Sequence, residues 1–161
     1  FSKKVKNISC GHNFSIFLTS MGSVFGCGDN SKGQIVGETK TSFNLSKIKH
    51  LKDIQQIACH STFTLAVDSN NLLLFGESVI LDDDTKSQKG PIFRIHTFEP
   101  GKAEIQLSRG ADALHFIVKD RNNEYWGGLS NITGQLGNNI KRTIKLPTQR
   151  LPSSPIINWD P

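Results

Sequence analysis

The sequence predicts an all-β chain: about three four-stranded antiparallel sheets, stacked side by side as propeller blades. Three observations predict it. A unit of about 50 residues recurs in the same internal order. Apolar residues within each copy alternate with a period of two. No segment sustains a 3.6-residue period between capping residues.

The first copy opens "VKNISCGHNFSIFLTS" at Val5, and "IQQIACHSTFTLAVDS" opens the second at Ile54, 49 residues later. The third, "EIQLSRGADALHFIVKD", opens at Glu104, a further 50 residues on. Aligned on these openings, Ile8, Ile57 and Leu107 share a column, as do Gly11, His60 and Gly110. Phe14, Phe63 and Ala113 follow, then Ile16, Leu65 and His115, then Leu18, Val67 and Ile117. Each copy continues through a polar turn into a short apolar run ending in glycine: "VFGCG", "LLLFG" and "EYWGG". Copies one and three then close on a Gly-Gln pair, Gly33-Gln34 and Gly134-Gln135. The implied repeats are 5–53, 54–102 and 103–161, the last including a connection toward a next blade.

In "NFSIFLT" and "TFTLAVD" every second residue is apolar, and β-branched and aromatic residues dominate. A lone sheet of this kind has two faces to bury. Identical units present identical faces to one another, which favours stacking over a closed sandwich. Closed propellers have at least four blades, so three copies are expected to be an incomplete arc. Phe14, Ile16 and Leu18 are no more polar than Phe63, Leu65 and Val67, so the end blades are expected to need a cover.

The 161 residues, 36% hydrophobic and 20% charged, are enough for a packed core and too apolar for a disordered tail. No run of 18 apolar residues occurs, and no membrane partner is expected. The net charge of +5 comes from scattered lysines, which read as solvent-facing and only weakly as a nucleic-acid or chromatin surface. Three cysteines, Cys10, Cys27 and Cys59, argue against a disulfide framework and place the chain in a reducing compartment, cytoplasmic or nuclear. Sequons at Asn7, Asn13, Asn44 and Asn131 matter only in a secreted protein.

The first copy resembles the repeat of the RCC1 (regulator of chromosome condensation) family. Cys10, Gly11 and His12 match its opening and Gly22 its turn. Val24, Phe25 and Gly28 match its third strand, with Cys27 where the family has Trp. Asn30, Gly33, Gln34 and Gly37 match its closing element. Cys59 and Gly76 carry the pattern through copy two; Gly110, Trp126, Asn131, Gly134, Gln135, Leu136 and Gly137 carry it through copy three. The resemblance implies a segment of an RCC1-like propeller, seven-bladed in the family. Glycines after short strands allow φ > 0 or close approach. Gln34 and Gln135, each donor and acceptor, are expected to pin loops to backbone groups.

Copy two lacks the Gly-Gln element. It carries instead a polar segment with Asp82, Asp83, Asp84, Lys86 and Lys89, read as a solvated loop and as the candidate partner contact. Its acidic residues lack the alternate spacing of a hard-cation loop. His115, on the expected inward face, reads as a core histidine, and Arg109 stands where the other copies have cysteine.

No zinc spacing, nucleophile elbow, phosphate loop or dinucleotide fingerprint occurs, so no metal, cofactor or catalytic residue is assigned and no enzyme is expected. The resemblance implies a protein-binding scaffold within a larger protein or assembly. Its alternatives are a chromatin-associated guanine-nucleotide exchange factor for a Ran-like small GTPase, and a targeting domain of a ubiquitin ligase or a ciliary or cytoskeletal protein.

Overall fold

The computed structural model describes residues 4–36, 41–76, 91–108, 115–137 and 144–151. Among them every regular element is a strand. β1 (Val5–Cys10), β2 (Phe14–Thr19), β3 (Val24–Gly28) and β4 (Ser42–Lys47) form blade 1. β5 (Gln56–His60), β6 (Phe63–Val67), β7 (Asn71–Gly76) and β8 (Ile92–Thr97) form blade 2. β9 (Glu104–Leu107), β10 (His115–Lys119), β11 (Tyr125–Leu129) and β12 (Ile144–Arg150) form blade 3. Each sheet is an antiparallel meander in chain order, so short connections suffice to join its strands.

The blades stack in sequence order, with β1, β5 and β9 side by side. Ser9 Oγ accepts the Cys59 N–H at 2.8 Å. The Gln56 amide brackets Ile105, accepting its N–H at 2.7 Å and donating to its carbonyl at 3.2 Å. Strand connections alternate between two rims. On the first, the His12 N–H donates to the Ser61 carbonyl at 3.1 Å; on the second, the Ile54 N–H donates to the Gly22 carbonyl at 3.1 Å.

The core lies between blades. Phe14, Ile16, Leu18 and Val24 of blade 1 pack with Ala66 and Phe75 of blade 2. The other face of blade 2, with Phe63, Leu65, Val67, Leu72 and Leu74, packs with Phe116 and Val118 of blade 3. β6, central in the middle blade, is therefore buried at all five positions, whereas β10 alternates. Full burial of each such side chain contributes roughly 1.5–3 kcal/mol. Phe14, Ile16 and Leu18 thus need no outside cover: blade 2 covers them. The outer face of blade 1 carries Ser15 and Phe17 instead.

The third copy requires a two-residue correction. His115 pairs with Leu129 as Phe14 pairs with Gly28 and Phe63 with Gly76. His115 therefore belongs with Phe14 and Phe63, not with Ile16 and Leu65. Likewise Ile105, opposite Val118, matches Ile8 and Ile57, and Leu107 takes the cysteine column. A slip of two keeps every side chain on its face, so alternation alone cannot detect it. The cause is the β9–β10 connection, which has six residues between Ser108 and His115 where two separate Gly11 from Phe14. Arg109, Gly110 and Ala113 lie outside the described residues. The same shift puts Leu129, at φ 74°, where Gly28 and Gly76 stand in the other blades.

Candidate binding surfaces of the blades

The Gly-Gln loops are built alike in blades 1 and 3. Asn30 is buried, and its Oδ1 accepts the Ile35 N–H at 2.7 Å. Gln34 Oε1 accepts the Lys32 N–H at 2.9 Å, and its Nε2 donates to Asp29 Oδ2 at 3.3 Å. In blade 3, Asn131 Oδ1 accepts the Leu136 N–H at 2.8 Å. Gln135 Oε1 accepts the Thr133 N–H at 3.0 Å, and its Nε2 reaches Ser130 Oγ at 3.5 Å. The Ser31 N–H, donated to Asp29, is the main cause holding that carboxyl below the usual range. Gly33 and Gly134 sit at φ 78° and 81°. The next left-handed position is Gly137 in blade 3 but Val36 in blade 1, a β-branched residue at φ 60° that strains the backbone. Gly37 lies outside the described residues.

Each loop fills a space that a strand glycine leaves open. A Cβ on Gly26 would stand 2.5 Å from Ile35 Cγ2, and one on Gly127 would stand 2.9 Å from Leu136 Cδ2. Strand pairing puts Leu74 at the same position of blade 2. The loop of blade 1 also reaches its neighbour: Thr64 Oγ1 donates to the Gln34 carbonyl at 3.0 Å. A Cβ on Gly76 would meet the Thr62 carbonyl oxygen at 2.5 Å and Gln34 Cα at 3.2 Å.

Of the other pattern residues, Gly22 (φ 72°) lets the second-rim turn of blade 1 lie against Asp53. Gly11 lies under the Phe14 ring. Cys10 is exposed beside Ser15 Oγ, while burial pushes the Cys59 thiol up to about 11. His12 is exposed. Trp126 donates its indole N–H to Asp120 Oδ2 at 3.1 Å, and Asp120 also accepts the Asn122 and Glu124 N–H groups. The His96 ring stands 4.2 Å from Trp126 and 4.6 Å from Phe98. Burial lowers the His96 pKa, against the opposing pull of Asp120.

Sequence reasoning missed this His96–Trp126–Asp120 cluster and the Gly26–Ile35 fit. The signal for the second was the Gly-to-Leu exchange in the one copy without a Gly-Gln pair. The first had no such signal, because His96 and Trp126 meet across two blades. His115 Nδ1 is buried without a hydrogen-bond partner among the described residues.

Two surfaces are open to partners. β1, β5 and β9 line a groove of about 420 Å³ whose walls include Asn7, Ser9, Gln56, Gln106 and Ser108. The rims carry the connections. Asp82, Asp83, Asp84, Lys86 and Lys89 lie outside the described residues, in the sequence between Gly76 and Ile92. Among the described residues no three His, Cys, Asp or Glu side chains gather to hold a metal, and no helix is long and apolar enough to cross a membrane.

The description "Regulator of chromosome condensation (RCC1) repeat" matches residues 5–34. No curated protein sequence matches the chain. Human WBSCR16 superposes with a TM-score of 0.52 at 18% identity, over 94% of this chain and 54% of its own. Yeast RCC1 (Prp20), solved bound to Kap60, gives 0.55 at 14% identity, over 96% of this chain and 39% of its own. Prp20p from Saccharomyces cerevisiae, solved in a study of its binding to Gsp1p and histones, gives 0.56 at 12% identity, over 96% and 40%. The chain spans about half of the first of these structures and less of the other two, and what it shares with them is the fold.

Proposed function

We propose that this chain, a segment of RCC1-type propeller blades, is a non-enzymatic protein-binding scaffold working as part of a larger protein or assembly. One observation carries the reading: the repeat's polar and glycine positions are engaged in holding loops and blades together. Asn30, Gln34, Asn131 and Gln135 bond within their own loops, and the Gln34 carbonyl bonds the next blade. The rims and the groove are what remains for partners. The segment with Asp82, Asp83, Asp84, Lys86 and Lys89 is the proposed partner contact, since residues outside the repeat pattern are free to serve a partner. Three free cysteines suit a reducing compartment, cytoplasmic or nuclear.

Likeness to Prp20p, which was solved in a study of its binding to Gsp1p, favours a second reading: exchange factor for a Ran-like GTPase. Exchange works by binding the nucleotide-free GTPase better than the loaded one, and needs no covalent chemistry. Two assays test the readings. Cross-linking in cells is expected to recover a protein partner with the native chain and to lose it when Asp82, Asp83 and Asp84 become Lys. Release of labelled nucleotide from a Ran-type GTPase is expected to be unchanged by the chain; strong acceleration at sub-stoichiometric amounts establishes the second reading.

A further inference from the structure

The second rim is electrically lopsided. The connection from β4 to β5 buries Ile48, Leu51 and Ile54, to 3%, 2% and 3% exposure. That spacing turns Lys47, Lys49, His50 and Lys52 to solvent. Lys4 joins them, because its carbonyl accepts the Ser20 N–H at 2.9 Å beside the β2–β3 turn. The Ile54 N–H bonded to Gly22 brings the connection to that same turn. Asp53 is the acid within the connection. None of Lys4, Lys47, Lys49 and Lys52 has an ion pair among the described residues. On the same rim of blades 2 and 3, Lys102 pairs with Glu104 at 3.4 Å and Arg150 pairs with Glu124, while Arg121 donates to the Pro100 carbonyl.

The β2–β3 turn on this rim presents Met21, 73% exposed. Several ammonium groups on the same rim as an accessible thioether are suited to a ligand with both acidic and apolar side chains. Phosphate backbone would use the charges and leave the methionine unused, and duplex recognition favours arginine forks over point charges. We infer that the second rim of blade 1 is a docking site for an acidic peptide segment carrying an apolar anchor, with Lys4, Lys47, Lys49 and Lys52 contacting carboxylates and Met21 contacting the anchor. This rests on the protein-binding reading but uses residues other than Asp82–Asp84.

Fluorescence anisotropy with the full chain tests it, using three labelled probes. These are a twelve-residue Glu-Glu-Leu repeat peptide, its Glu-Glu-Gly counterpart and a 20-base-pair DNA duplex. The Leu peptide is expected to bind tightest at every salt concentration, weakening as salt rises. Reversing Lys49 and Lys52 to Glu together is expected to raise its Kd about tenfold or more, with unfolding midpoint unchanged. Met21→Ala is expected to weaken the Leu peptide several-fold and to leave the Gly peptide unaffected. Tighter binding of the duplex, equal binding of the two peptides, or no response to Lys49→Glu/Lys52→Glu overturns the inference. Asp82, Asp83 and Asp84 changed to Lys are expected to leave the peptide Kd unchanged, so failure here and failure of the Asp82–Asp84 contact are told apart.

Discussion

The two seams between blades are closed by different parts. Between blades 1 and 2, the Gly-Gln loop of blade 1 inserts Ile35 over Gly26 and offers its Gln34 carbonyl to Thr64. Between blades 2 and 3, Leu74 occupies the strand position that Gly26 holds in blade 1. Phe98, Phe116 and the tilted His96–Trp126 ring contact complete that seam. Both seams combine apolar packing with hydrogen bonds, but the first also has a loop keyed into a glycine gap, whereas a strand side chain stands at that position in the second. The difference teaches that the glycine of the third strand and the apolar residue of the loop form one device. Blade 2 lacks the Gly-Gln pair and fills the gap from its own strand.

Substitutions in each seam should therefore fail by different mechanisms. The largest single effect is expected at Leu74, where Leu74→Ala opens a cavity costing about 2–5 kcal/mol in urea unfolding. In the keyed seam, Asn30→Ala strips the Ile35 N–H of its acceptor, an expected loss of about 1–3 kcal/mol. Thr64→Val keeps the shape but removes the donor to Gln34, and about 1 kcal/mol is expected, read in the same experiment.

The seam between blades 2 and 3 should respond to mild acid through His96. The folded-state pKa of His96 is lowered, so the unfolded chain takes up its proton first. Its contribution is intact above the ordinary value of 6.5 and declines as pH falls below it, levelling off beneath the folded pKa. His96→Phe is expected to flatten that part of the stability profile. A native slope unchanged by this substitution removes His96 from the account.

Much of this architecture was legible in the sequence because it rests on period-two alternation and on repetition. Twelve strands in three four-stranded sheets follow from those patterns. Register in the third blade was not legible. The alternation of His115 to Lys119 reads equally well when slipped by two, and "GADAL" imitates the spacing of the first hairpin. Blade order fixed which face is covered, and that too escaped the sequence: Phe14, Ile16 and Leu18 face blade 2 rather than open space. The Gln34 and Gln135 side chains bond backbone N–H groups of their own loops, whereas Val36 at φ 60° shows that the left-handed position need not hold glycine. The groove along β1, β5 and β9 carries polar residues such as Asn7 and Gln106 that no repeat column marks as functional.

The shared gap of residue 26 and Ile35 is tested most directly by a double-mutant cycle of Gly26→Ala and Ile35→Ala, with stability measured in urea. Gly26→Ala alone drives a Cβ into Ile35, and Ile35→Ala alone leaves the gap part-empty, so each is expected to destabilise. Together they fit one another, and the double variant is expected to lose less than the sum of the singles by about 1–3 kcal/mol. Strict additivity, within about 0.5 kcal/mol, would contradict the account by showing that the loop and the strand glycine do not share the space.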